Sequence, residues 1–134
     1  MSLLEGINYP AVAVSAVVYY FIGFIWYSLL FGKIWANETG VVLPDKSGPR
    51  VLPLVGQFVS TFLYVLGIAF ILKLHGPYGI REAIHVSAMF TIFIIIPMNS
   101  GNLFFTGKKK LFAIDVCERA IGTFVIGIIL GLWN

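Results

Sequence analysis

Charge is what this 134-residue sequence has least of: 9 Lys and Arg with 6 Asp and Glu make up only 11% of it. A soluble globular domain carries about a quarter charged residues, so too few are present to cover a water-facing surface. Disorder is excluded by the same shortage of polarity, since 59% of the residues are hydrophobic. Cysteine is almost missing. Cys117 stands alone, which rules out an internal disulfide and a cysteine-rich zinc site. His75 and His85 are too few for a metal cluster, and no P-loop, nucleophile elbow, zinc motif or Gly-rich nucleotide loop occurs. Neither a metal nor a cofactor is expected. The residues before Pro10 include Glu5 and no Lys or Arg, unlike the basic start of a cleavable signal peptide, so the first apolar run is expected to be a retained helix.

What the sequence does have is long apolar runs, with a mean hydropathy of +0.94. They predict spans over residues 10–31, 52–74, 80–97 and 111–133, each long enough to cross about 30 Å of hydrocarbon. Helices are favoured because the runs lack period-2 alternation and backbone groups in lipid must be satisfied within the segment. The expected fold is all-α, one domain over residues 1–134: an integral membrane up-down four-helix bundle with short connections. The longest link, 32–51, reads as a polar segment broken by Pro44, Gly48 and Pro49, and Pro97 should kink or end the third helix.

The net charge of +3 is distributed by topology rather than as a nucleic-acid stripe, so no nucleic-acid partner is expected. Lys33, Lys46, Arg50, Lys108, Lys109 and Lys110 fall in the first and third loops, against Lys73 and Arg81 on the other side. That bias predicts a multi-pass protein of the cytoplasmic membrane, with the first and third loops cytoplasmic and both termini outside. Lys108, Lys109 and Lys110 would meet anionic lipid headgroups. Trp26, Tyr27 and Trp35 suit the inner interface, and Tyr9, Tyr78 and Trp133 the outer one.

Asp115, Glu118 and Arg119 interrupt the fourth run. At 1.5 Å per residue, Asp115 lies roughly 7 Å and Arg119 roughly 13 Å beyond Lys110. Holding each such charge against lipid costs about 2.5–3.5 kcal/mol, so they should turn inward. Asp115 and Arg119, four apart, can pair, and Glu118 and Gly122 share their stripe. On the second span Gln57, Ser60, Thr61 and Tyr64 form one face, and on the first Ala13, Ala16, Tyr20, Gly23 and Tyr27 share another. Together they put polar groups at one depth, roughly a third of the way in from the cytoplasmic side. His85, near the outer end of the third span, and Asn99, near its inner end, could add to them. Ala120, Gly127 and Gly131 make a small-residue ridge for close helix packing, within the chain or against a second copy.

Trp26-Tyr27-Ser28 followed by Phe31-Gly32-Lys33 and Trp35, together with Leu111-Phe112-Ala113-Ile114-Asp115 leading to Arg119, resembles a prokaryotic family of small four-span membrane proteins, the domain-of-unknown-function-1761 family. The resemblance covers most of the chain. It implies a multi-pass membrane domain and no assigned activity.

Two functions compete. One is a small transporter or channel-like protein that binds protons, cations or a small molecule at the carboxylate–arginine site, working as a homo-oligomer because four spans leave little room for a pathway. The other is a non-transporting membrane accessory or interaction protein whose ion pairs only fix helix register. An intramembrane enzyme using Asp115, His85 and Tyr64 ranks third, without a nucleophile or cofactor motif behind it.

Overall fold

The computed structural model describes residues 6–39 and 51–133 and is helical nearly throughout. Glu5 and the loop residues Pro44, Lys46, Gly48, Pro49 and Arg50 lie outside the described residues. Helix α1, Tyr9–Ile25, starts where the Asn8 side chain accepts from the Ala11 amide at 3.1 Å, with Pro10 in the first turn where no donor is needed. At its far end the helix widens into a π turn, Trp26–Leu30, in which the Phe31 amide reaches back five residues to the Trp26 carbonyl. A short helix α2, Gly32–Thr39, follows. The expectation of a turn-rich segment directly after Phe31 is thus corrected: the described part of that link, Gly32–Thr39, is helical. Gly32 permits this, because a Cβ there would sit 2.7 Å from the Tyr27 carbonyl oxygen.

Helix α3, Val51–His75, ends at Gly76, whose φ of +108° only glycine adopts easily. Helix α4, Ile80–Phe90, begins with the Glu82 carboxylate accepting from the Gly79 amide at 2.9 Å. It too widens into a π turn, Thr91–Ile95, before α5, Ile96–Asn99. Pro97 therefore does not stop the helix. The wide turn just before it takes up the missing donor and the ring, and the helical path continues to Asn99. Helices α6, Gly101–Phe104, and α7, Lys109–Leu132, complete the chain.

Helix α7 is the central element, lying along α1 on one side and α4 on the other, while α3 packs mainly on α1. Asn8 bonds the Trp133 carbonyl at one end, and Trp26 Nε1 donates to the Ile114 carbonyl at 3.2 Å near the other, so α1 and α7 run antiparallel. Val12, Val65, Ile68, Leu72, Ile126 and Leu130 fill the core between them. The small-residue ridge finds its partner inside the chain: Gly127 and Gly131 lie against Ser87, Ala83 and Ile80 of α4. Ser87 Oγ donates to the Ala83 carbonyl at 2.9 Å and the Thr123 carbonyl at 3.2 Å. Ala120, the third member of the ridge, is half-buried.

The outer surface is apolar. Leu63, Phe93 and Leu132 are 61%, 69% and 70% exposed, the reverse of a water-soluble surface. Three helical stretches are long and apolar enough to cross a membrane: Tyr9–Leu30, Leu54–His75 and Ile80–Asn99. Helix α7 has the length, about 36 Å at 1.5 Å per residue, but carries Lys109, Lys110, Asp115, Glu118 and Arg119.

Candidate functional site

Because α3 meets α1 closely and α7 only sparsely, space opens between α3 and α7. Two cavities occupy it. One, of about 490 Å³, is lined by Tyr19, Tyr20, Gly23, Phe24, Tyr27, Trp35, Gln57, Thr61, Asp115, Glu118 and Arg119, among others. The second, of about 540 Å³, reaches from Tyr64, Ser60 and Gln57 to Ile95, Met98 and Asn99. Tyr19, Gln57, Thr61 and Arg119 border both, so they form the partition between them. A third cavity, of about 370 Å³, lies where Asn8, Lys73 and Tyr78 meet, and among the described residues no carboxylate lines it.

The three charged residues of α7 have different surroundings. Asp115 is buried and fully engaged: Tyr27 donates its hydroxyl to Oδ1 at 2.7 Å, and the Arg119 guanidinium stands 3.7 Å from Oδ2. Arg119 donates in turn to Asn99 Oδ1 at 3.1 Å, and Asn99 donates to the Ile95 carbonyl at 2.8 Å. One chain of polar contacts thereby links the π turn of α1, α7 and α5. Glu118 is 5% exposed and has one weak partner, Tyr19, whose hydroxyl donates to Oε2 from 3.5 Å. Its Oε1 has no hydrogen-bond partner among the described residues and lies beside Gly23, where even a Cβ would approach to 3.4 Å.

The other expected site residues divide. Tyr27 reaches Asp115 and Asn99 reaches the arginine. Gln57 lines both cavities, and Thr61 lines both while donating to the Gln57 carbonyl of its own helix. Tyr64 bonds Thr123 at 2.6 Å rather than a carboxylate, and Tyr20 donates to the Leu54 carbonyl at 3.2 Å. His85 is exposed on the outer face of α4 and lines neither cavity. Lys109 and Lys110 are exposed at the start of α7, with Lys108 just before them.

The inward face of α1 also differs from the expected stripe. Ala11, Val12, Ser15 and Ala16 are buried while Ala13 is exposed. Tyr19, not singled out from the sequence, therefore points at Glu118, and the π turn brings Tyr27 round to the same cavity. A signal was present in Gly122 across the interface: a Cβ there would fall 2.2 Å from the Tyr19 ring, so glycine makes the space that ring fills. Trp35 on α2 stands edge-on to Tyr27 at 5.5 Å and closes one wall. Replacing Tyr27 by Phe keeps that ring contact and removes only the bond to Asp115. Hydrogen bonds to charged groups contribute about 1.5–3 kcal/mol, so Tyr27→Phe is expected to cost about 1–2 kcal/mol in a denaturation titration in detergent, and an unchanged midpoint would show the bond to be idle.

A helical chain with three helices of spanning length, an apolar exterior and acids turned inward has the build of a membrane protein. Residues 10–131 match the family described as "Protein of unknown function (DUF1761)", and the chain belongs to that family. No curated protein and no solved structure matches it.

Proposed function

We propose that the chain is a four-span, up-down membrane bundle in which α7 is the fourth crossing, and that it works as a small transporter or channel-like protein. The moving charge, a proton or a small cation, is taken up at Glu118. The carrying observation is the contrast between the two acids. Asp115 has both oxygens occupied, whereas Glu118 is equally buried with one oxygen unpartnered at a cavity wall. Burying a carboxylate without compensating bonds costs several kcal/mol, and a positive charge arriving at Oε1 relieves that cost. Arg119, in the partition between the cavities, is placed to separate the two ends of a path.

On this reading Lys33, Lys108, Lys109 and Lys110 face the cytoplasm and both termini face outside, the positive-inside arrangement. Four spans leave little room for a pathway in one copy, so a homo-oligomer among lipids is part of the proposal. The competing reading, a non-transporting accessory protein with structural ion pairs, draws on Asp115, whose contacts are those of a brace.

Pyranine-loaded vesicles of phosphatidylethanolamine and phosphatidylglycerol, acidic inside, separate the two readings. With Na⁺, K⁺ or tetramethylammonium outside, the wild-type protein should dissipate the proton gradient several-fold faster than empty vesicles for at least one cation. Glu118→Gln should fall to the empty-vesicle rate while keeping its helical circular dichroism. A wild-type rate equal to that of empty vesicles with all three cations overturns transport in favour of the accessory reading.

A further inference from the structure

The 490 Å³ cavity is built from aromatic rings around two acids, and that combination selects a ligand class. Tyr19, Tyr20, Phe24, Tyr27 and Trp35 supply the walls. The three tyrosine hydroxyls are committed, to Glu118, to the Leu54 carbonyl and to Asp115, so these side chains offer a ligand their rings rather than free hydroxyls. A hydroxyl-rich solute would find few partners there. An anion would meet two carboxylates against one guanidinium, and that guanidinium is already paired with Asp115 and donates to Asn99. A hard metal ion needs about six oxygen ligands, and among the described residues no three His, Cys, Asp or Glu side chains come together.

What remains is a cation that is itself apolar on the outside. Ring faces carry negative quadrupole density and attract a diffuse positive charge, more strongly when water is excluded. Glu118 supplies the full counter-charge through its unpartnered Oε1, and Gly23 leaves the approach to that oxygen open. We infer that the cavity between Trp35, Tyr27, Phe24 and Glu118 is a binding site for an organic ammonium ion, its alkylated nitrogen against the rings and the Glu118 carboxylate. This names the substrate class of the site proposed above and rests on that reading for its physiological meaning, while the binding step stands by itself.

Calorimetric titration of the purified full chain in a neutral detergent, with benzyltrimethylammonium as probe, tests it. The neutral isostere is 2,2-dimethylpropylbenzene, which has the same shape without the charge. Saturable binding is expected for the cation and at least tenfold weaker binding for the isostere. Glu118→Gln should weaken the cation at least tenfold and leave the isostere within twofold. Trp35→Ala should weaken it several-fold, and Trp35→Phe should restore much of the loss, which a packing defect alone would not produce. Equal affinity for the two probes, unaltered cation binding in Glu118→Gln, or no binding by wild type each overturns the assignment. Proton flux in the vesicle assay without ammonium binding removes this inference alone, and ammonium binding without flux removes transport while the site stands.

Discussion

Gly131→Ala is expected to destabilise the fold by about 2–3 kcal/mol, a large effect for one methyl group. A Cβ at residue 131 would lie 2.7 Å from the Ile80 Cα, 3.1 Å from the Ala83 Cβ and 3.2 Å from the Gly79 carbonyl oxygen. The nearest of these is backbone at the start of α4, so no rotamer change relieves the overlap and the helix itself must retreat. Overpacking of a tight site costs about 1–3 kcal/mol, and here it also loosens the turn in which Glu82 holds the Gly79 amide. Gly127 gives the informative contrast. Its nearest obstacle is a side-chain atom, Ser87 Oγ at 2.3 Å, with the Ala83 carbonyl oxygen next at 3.1 Å. Ser87→Ala should therefore rescue part of Gly127→Ala and none of Gly131→Ala. Gly56 serves as the control, with nothing within 4 Å of its Cβ position, and Gly56→Ala should be neutral or gain up to about 1 kcal/mol from helix propensity. Unfolding followed by tryptophan fluorescence in mixed detergent micelles ranks the variants. Equal midpoints for Gly131→Ala and Gly56→Ala would refute the close α4–α7 approach.

The apolar runs made the helices legible because burial against lipid needs only length and hydropathy, both local properties of the sequence. The expected spans 10–31, 52–74 and 80–97 coincide within a few residues with the stretches Tyr9–Leu30, Leu54–His75 and Ile80–Asn99. Local properties also showed that Asp115 and Arg119 would pair, since four residues on a helix fix that geometry. The two π turns could not be read the same way. A wide turn costs backbone energy that only the surrounding contacts repay: at Trp26 the bond to the Ile114 carbonyl, and at Thr91–Ile95 the approach of Pro97.

Phase explains what the α1 stripe missed: Tyr20, Gly23 and Tyr27 do line one cavity, but Ala13 is exposed and Tyr19 joins them. A stripe counted from Tyr20 and Tyr27 looks self-consistent, but the side that packs is chosen by what opposes it. Ala11, Ser15 and Ala16 let the helix come close, and Gly122 accepts the Tyr19 ring. Small residues on two separate helices had to be matched to each other, which one sequence without a fold does not specify. The same holds for Gly127 and Gly131, whose pattern fits a neighbouring copy as well as α4 until Ser87 and Ala83 are seen opposite them.

Asp115 and Arg119 should prove strongly coupled, the second large effect. Asp115→Ala leaves the guanidinium with Asn99 as its remaining side-chain partner, and Arg119→Ala leaves the carboxylate with Tyr27. Breaking a buried pair from one side costs about 3–5 kcal/mol because a charge is stranded. The Arg119 side chain is 42% exposed and borders both cavities, so a stranded guanidinium is not sealed in, and about 2–3 kcal/mol is expected for Asp115→Ala. Arg119→Ala should cost at least as much, since Asp115 is the better buried of the two. The double variant strands no charge, and should be less destabilised than the sum of the singles by more than about 1 kcal/mol, the range for residues sharing a network. Asp115→Asn should fall between wild type and Asp115→Ala, because its amide oxygen can still accept from Tyr27. Glu118 supplies the opposite expectation. With no ion pair among the described residues and one long bond from Tyr19, Glu118→Gln removes a charge that the fold gains little by holding, and its midpoint should match or exceed that of wild type. An additive Asp115–Arg119 cycle, or a Glu118→Gln variant as unstable as Asp115→Ala, would erase the distinction between an acid that braces the fold and one that does not.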